Sequence, residues 1–311
     1  MTRQAFRGAL FHCLDDPAIA PEAAVYHDDG GLIVDGGHVE ASGPWAEIAP
    51  ALKGARVTAL PDTLIVPGFV DAHVHYPQVD AIGGYGEHLL DWLKDYAFPA
   101  EIAFENDPGH ARATADFFLD ELLRNGTTSA LVFATSHADS VDALFEAALA
   151  RQMRLIAGKV LMDRNAPESL LDTAEGGYAQ SRALIEKWQG KGRLGYAVTP
   201  RFAPTSTEAQ LTLAGRLLAE FPHTLLHTHL CENTDEIKWV RQLFPRPAIM
   251  WMCMIMPGWW GRARCSLTGC IWTMKSAPSS PRRGRPSPFV QPRTSFWAAA
   301  FLICKRRKRR A

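Results

Sequence analysis

The sequence predicts an α/β fold, with an incomplete (β/α)8 barrel over residues 67–245 and a small β-rich module before it over residues 1–66. Three observations predict it. Short apolar runs between Gly, Asp and Pro turns fill the first module; strand patterns then alternate with helical ones; and two of the later strands end in paired histidines.

In the first module, residues 9–12, 24–26, 31–34 and 57–60 read as short strands. Leu64, Ile65, Val66, Phe69 and Val70 then make the apolar run of a strand buried on both faces, kinked at Pro67-Gly68, which leads into His73-Val74-His75. Residues i and i+2 of a strand share a face, so His73 and His75 set two imidazoles side by side. Alone, such a pair is either half a metal site or a solvated strand end.

Asp107-Pro108 supplies an N-cap acceptor and a proline at the first helical position, and Asn125-Gly126 ends that helix. Strands follow at 129–133, 154–160, 194–198 and 224–228, separated by helices near 139–152 and 168–189 and by a third helix for which Thr205 and Glu208 have capping-box spacing. Repeated strand-helix units of this length imply parallel strands with right-handed crossovers, which favours a barrel over a doubly wound sheet. Five barrel strands are accounted for by Pro245. The fifth runs into His227-Thr228-His229-Leu230-Cys231-Glu232-Asn233, a second histidine cluster with a carboxylate three residues beyond it. There is no G-x-G-x-x-G and no Walker loop.

Composition excludes several classes. With 47% hydrophobic and 21% charged residues the chain is ordinary for a globular enzyme, and no apolar run approaches the roughly 20 residues that cross a bilayer. Its start lacks the apolar segment of a signal peptide, so the expected compartment is the cytoplasm. Six cysteines without a C-x-x-C suggest neither a disulfide framework nor a cysteine zinc site.

The His73-Val74-His75 strand, the stretch from Gln78 through Trp92-Leu93 to Tyr96-Ala97-Phe98-Pro99-Ala100-Glu101, and His227 to Asn233 together resemble the guanine deaminases of the metal-dependent amidohydrolase superfamily. Members commonly carry a small β-sandwich beside the barrel, which the resemblance therefore implies for residues 1–66. It also implies one metal ion, zinc with iron as the alternative, on His73, His75 and His229, with Glu232 moving protons. Gln78, Arg201, Phe202 and His229 fall on the substrate: an amide for the purine edge, a guanidinium for the carbonyl oxygen and an aromatic ring for stacking. The implied partner is guanine, and intact members are expected to form homodimers. Glu232 also reads as a helix-start carboxylate, and Arg201 as a surface arginine. His227 matches no ligand of the resemblance and reads as a structural neighbour. Other amidohydrolases acting on aminated or chlorinated heterocycles share the His-x-His strand, whereas the His-x-Glu and Pro-Cys-x-x-Cys signature of cytidine-type deaminases is absent.

Residues 246–311 are foreign to the rest. They hold 14 Lys+Arg and no Asp, Glu or His, against 19 Lys+Arg and 33 Asp+Glu before them, and five of the nine tryptophans. The resemblance calls for a histidine on a sixth strand and an aspartate on an eighth, and this segment offers neither. Written as codons and regrouped by one base, residues 249–261 permit Val-Asp-Val-Tyr-Asp-His-Ala-Gly-Leu-Val-Gly, and residues 261–275 permit a string containing Ala-His-Gly-Val-His-Leu-Asp-Asp-Glu. Both strings resemble the missing downstream part. A frame shift near residues 245–247 and a disordered, non-homologous tail are therefore expected. A nucleic-acid-binding role for Lys305-Arg306-Arg307-Lys308-Arg309-Arg310 is the weaker reading, because out-of-frame GC-rich codons yield Arg, Pro and Ala without selection.

Overall fold

The structure is a computed structural model that describes residues 3–86, 88–230, 232 and 234–245, together with two strands at Cys265–Thr268 and Phe301–Lys305. Most of the 246–311 tail, including the basic run after Lys305, lies outside the described residues. The chain divides into two units, Met1–Phe69 with Pro278–Ala311, and Val70–Ala277.

The first unit is built on β1 (Gln4–Cys13), β2 (Ala24–Asp35), β3 (His38–Pro44) and β4 (Arg56–Pro67), with the short helix α1 (Trp45–Ile48). Where a sandwich was expected, these strands form one sheet in the order β12-β4-β1-β2-β3, β12 being Phe301–Lys305. Adjacent residues Leu32 and Ile33 point to opposite faces, so each face carries its own apolar cluster: Leu10, Leu32 and Ile65 on one, Ala5, Ile33 and Ile48 on the other. The two strands expected at 24–26 and 31–34 are one continuous strand. Gly30 and Gly31 look like turn residues in the sequence but serve close packing: a Cβ on Gly30 would lie 2.4 Å from that of Leu10, and one on Gly31 would lie 2.2 Å from Ile48 Cδ1.

In the second unit β5 (Phe69–His75), β6 (Thr127–Phe133), β7 (Arg154–Gly158), β9 (Leu194–Pro200), β10 (Leu225–His229) and β11 (Cys265–Thr268) form one open sheet in the order β11-β10-β9-β7-β6-β5. The two-residue strand β8 (Val160–Leu161) pairs with β9, and the pairs β6/β7, β7/β9, β9/β10 and β10/β11 are parallel. This is the predicted barrel, unclosed. The expected single strand through Pro67-Gly68 is instead split there into β4 and β5, which lie in different sheets. Its predicted burial on both faces fails at Phe69 and Val70, which are 55% and 52% exposed, because β5 is an edge of the described sheet. The flank of the fifth barrel strand is occupied by β11 in register from Leu226↔Cys265 to His229↔Thr268.

Helices α2 (Leu89–Trp92) and α3 (Phe98–Ile102) follow β5; α4 (Pro108–Arg124), α5 (Ala138–Ala150), α6 (Ala174–Trp188), α7 (Glu208–Glu220) and α8 (Thr234–Leu243) fall between or after the strands. Their apolar faces join Leu119, Leu144, Ile185 and Leu217 to Val132, Leu155, Tyr196 and Val198 of the sheet in one core. Caps fix their starts. Asp107 accepts from the His110 amide at 2.8 Å and Thr173 from that of Gly176 at 2.9 Å. For α7 the cap is Thr207, which accepts from the Gln210 amide, while Thr205 is buried with its hydroxyl donated to the Phe202 carbonyl. Among the described residues no helix is long and apolar enough to cross a membrane.

Candidate metal centre and its buried polar network

The tips of β5 and β10 bring His73, His75 and His229 together, with His73 and His75 on one face of β5 as their i, i+2 spacing places them. Their Nε2 atoms form a triangle with sides of 3.0, 3.1 and 3.2 Å. Tetrahedral ligands at zinc-nitrogen bond length stand about 3.3 Å apart, so the triangle has the size of three corners of such a site with the fourth left open. The protons agree with this. His229 Nδ1 lies 2.8 Å from the Arg201 carbonyl, which can only accept, so that nitrogen carries the hydrogen and Nε2 presents a bare lone pair. Three imidazole nitrogens converging this closely repel one another unless a hydrogen or a cation lies between them. The residues present therefore fit a metal ion.

Burial keeps the rings neutral. His229 is pushed down to about 3, first by burial and then by the Arg201 charge; His227 falls to about 2, by burial and then by His73 and His229. His75 is held well below the usual histidine range by burial and then by His229, Arg201 and its other neighbours, and burial also lowers His73. Neutral imidazole is the form that ligates.

A second group of side chains adjoins the triangle. Arg201, 2% exposed, directs Nη1 at both carboxylate oxygens of the fully buried Glu101, each at 2.7 Å. It is not the surface arginine that the sequence also allowed. Gln78 Nε2 donates to Glu101 Oε1 at 3.0 Å and lies 3.3 Å from His75 Nδ1, a contact rather than a hydrogen bond in the tautomer that bares His75 Nε2, because both nitrogens then carry hydrogen. The Arg201 guanidinium also sits 5.2 Å from the Phe98 ring centroid. Phe202 is buried, edge-on to Trp239 with centroids 6.2 Å apart.

Glu232 is half-buried, and its carboxyl is raised above the usual carboxylate range by burial first and Glu236 second, with Arg201 opposing. The helix-start task belongs to its neighbour: Glu236 accepts from the Glu232 amide at 2.7 Å. Glu101 had no role in the sequence reading, and His227 was read there only as a structural neighbour. For His227 the i, i+2 relation to His229 was the available signal.

The sequence profile of the amidohydrolase family matches residues 64–249. The chain belongs to the amidohydrolase family. Within it, this amidohydrolase is similar to a guanine deaminase of Escherichia coli, 52% identical over 78% of this chain and 56% of the relative. It is likewise similar to a probable guanine deaminase of Deinococcus radiodurans, 42% identical over 77% of this chain and 56% of the relative. A crystal structure of a guanine deaminase from C. acetobutylicum with guanine bound in its active site aligns with a TM-score of 0.78 at 26% identity, covering 86% of this chain and 62% of that one. The amidohydrolase chain thus spans a little over half the length of these two relatives.

Proposed function

We propose that the intact form of this amidohydrolase is a cytoplasmic, zinc-dependent guanine deaminase that hydrolyses guanine to xanthine and ammonia. The observation that carries the reading is the His73/His75/His229 triangle adjoining the Gln78–Glu101–Arg201 network: three neutral nitrogens for one cation beside fixed donors suited to a flat heterocycle. The similarity to guanine deaminases selects guanine among the aminated heterocycles.

In this reading His73, His75 and His229 hold the ion. When bound, zinc supplies a water acidic enough to act as hydroxide near neutral pH. Glu232, with its carboxyl raised, takes and returns protons between that water, a ring nitrogen and the leaving amine. Gln78 faces the purine edge, Arg201 the carbonyl oxygen and Phe202 the ring face. Glu101 fixes the Arg201 guanidinium and the Gln78 amide at once, so the two recognition groups keep one spacing.

The chain as it stands is proposed to be impaired by a frame shift near residues 245–247. From residue 246 onward it contains no His, Asp or Glu, so no further protein ligand of those types comes from there. The test is to sequence the DNA across codons 240–260 and to express a one-base repair beside the 311-residue chain, assaying both for zinc and for xanthine. Equal activity in both, or none in either, contradicts the proposal.

A further inference from the structure

We propose that His227 is a positioning residue for the metal centre: its Nε2 accepts the Nδ1 hydrogen of His73 and so turns the bare His73 Nε2 toward His75 and His229. The inference rests on the metal reading above. His227 is fully buried on β10, two residues before His229, with its Nε2 2.9 Å from His73 Nδ1 and the two rings nearly perpendicular at 84°.

A neutral imidazole has one donor and one acceptor nitrogen, so the neighbour of one nitrogen decides what the other can do. The shared hydrogen between His73 and His227 has two placements. With it on His227, His73 accepts at Nδ1 and points an Nε2 hydrogen into the triangle, where no cation then fits. With it on His73, Nε2 is bare and the triangle is complete. His227 supports the second placement only because its Nε2 is an acceptor there. Its own Nδ1 has no partner among the described residues, an arrangement that costs stability when a donor is buried so. An apolar residue of similar size would avoid that cost. What it would lose is the acceptor for His73.

The test uses the full 311-residue chain, with zinc affinity measured by competition against a chromophoric chelator, the visible spectrum of the cobalt-substituted protein, and the Tm of the metal-free form. His227→Phe is expected to weaken zinc by about ten- to a hundredfold and to alter the cobalt spectrum, the size of effect seen when a partner of a ligating histidine is removed. His227→Gln, whose amide oxygen can accept from His73, is expected to recover most of the affinity; His227→Leu replaces the phenylalanine variant if the larger ring lowers the Tm. Parent-like zinc affinity in the apolar variants overturns the proposal and leaves the metal reading standing. Equal losses in the apolar and glutamine variants, in step with Tm, also overturn it, because they assign His227 to packing. A parent chain that binds no zinc removes the metal reading and this inference together.

Discussion

The histidine triangle and the Glu101–Arg201 pair lie side by side but are held by different means. The triangle stands on the tips of β5 and β10, and its rings share contacts with Phe133, which stacks on His75 at 4.5 Å. The pair ties the five-residue helix α3 to the end of β9 across 100 residues of chain, and both its charges are out of water. Three neutral rings around a polar point can lose one member without stranding a charge. A buried ion pair cannot. The first arrangement can therefore give up a ring at small cost to the fold, and the second, on the proposed reading of Arg201, ties recognition to stability.

That contrast can be broken by a pair of substitutions. His75→Ala is expected to abolish stoichiometric zinc binding, read by elemental analysis of the purified chain, while the metal-free chain still folds, losing a stack on Phe133 worth about 0.5–1.5 kcal/mol beyond the area it buries. Glu101→Gln is expected to do the reverse. It leaves Arg201 buried without a counter-charge and should cost about 3–5 kcal/mol in urea unfolding, with zinc still bound in the fraction that folds. If His75→Ala unfolds the chain, or Glu101→Gln is neutral, the division of labour is wrong.

The His73–His75 pair was legible in the sequence because a strand repeats every second residue, whereas the choice of His229 over His227 as the third member came from the family resemblance. The Glu101–Arg201 pair was not legible. Arg201 read equally well as a surface residue, and nothing within several residues of Glu101 marks it as buried; only the packing of α3 against the end of β9, 100 residues apart in the chain, brings them together. Local signals also misled where two candidates competed. Thr205 and Thr207 both precede α7, and Asp163, which accepts from the Thr207 amide at 2.7 Å, is a distant partner that helps select the latter. Gly30 and Gly31 signalled a turn because a sequence does not display what packs over a glycine.

The same contrast sharpens with pH. His229 and His227 ionise near 3 and 2 in the folded chain but near 6.5 when unfolded, so below about pH 6.5 the unfolded state binds more protons. Stability of the metal-free chain is expected to be full above that pH and to fall as pH drops toward 3, by up to about 1.4 kcal/mol per pH unit for each histidine. His227→Phe should reduce that slope in urea titrations at pH 7 and 5. The smallest expected effect lies outside both arrangements: Thr207→Ala removes the α7 cap and should cost about 1 kcal/mol while leaving zinc binding unchanged.

On the function proposed above, residues 70–245 hold most of a guanine deaminase site whose remainder was lost to a change of frame. The most direct measurement is xanthine formation from guanine by the one-base repaired protein and by the 311-residue chain, each with its zinc content determined. Turnover and one zinc are expected in the repaired protein, and little or no turnover in the chain as it stands. Turnover by the 311-residue chain at the repaired protein's rate, or a repaired protein that binds zinc and leaves guanine untouched, would contradict that expectation.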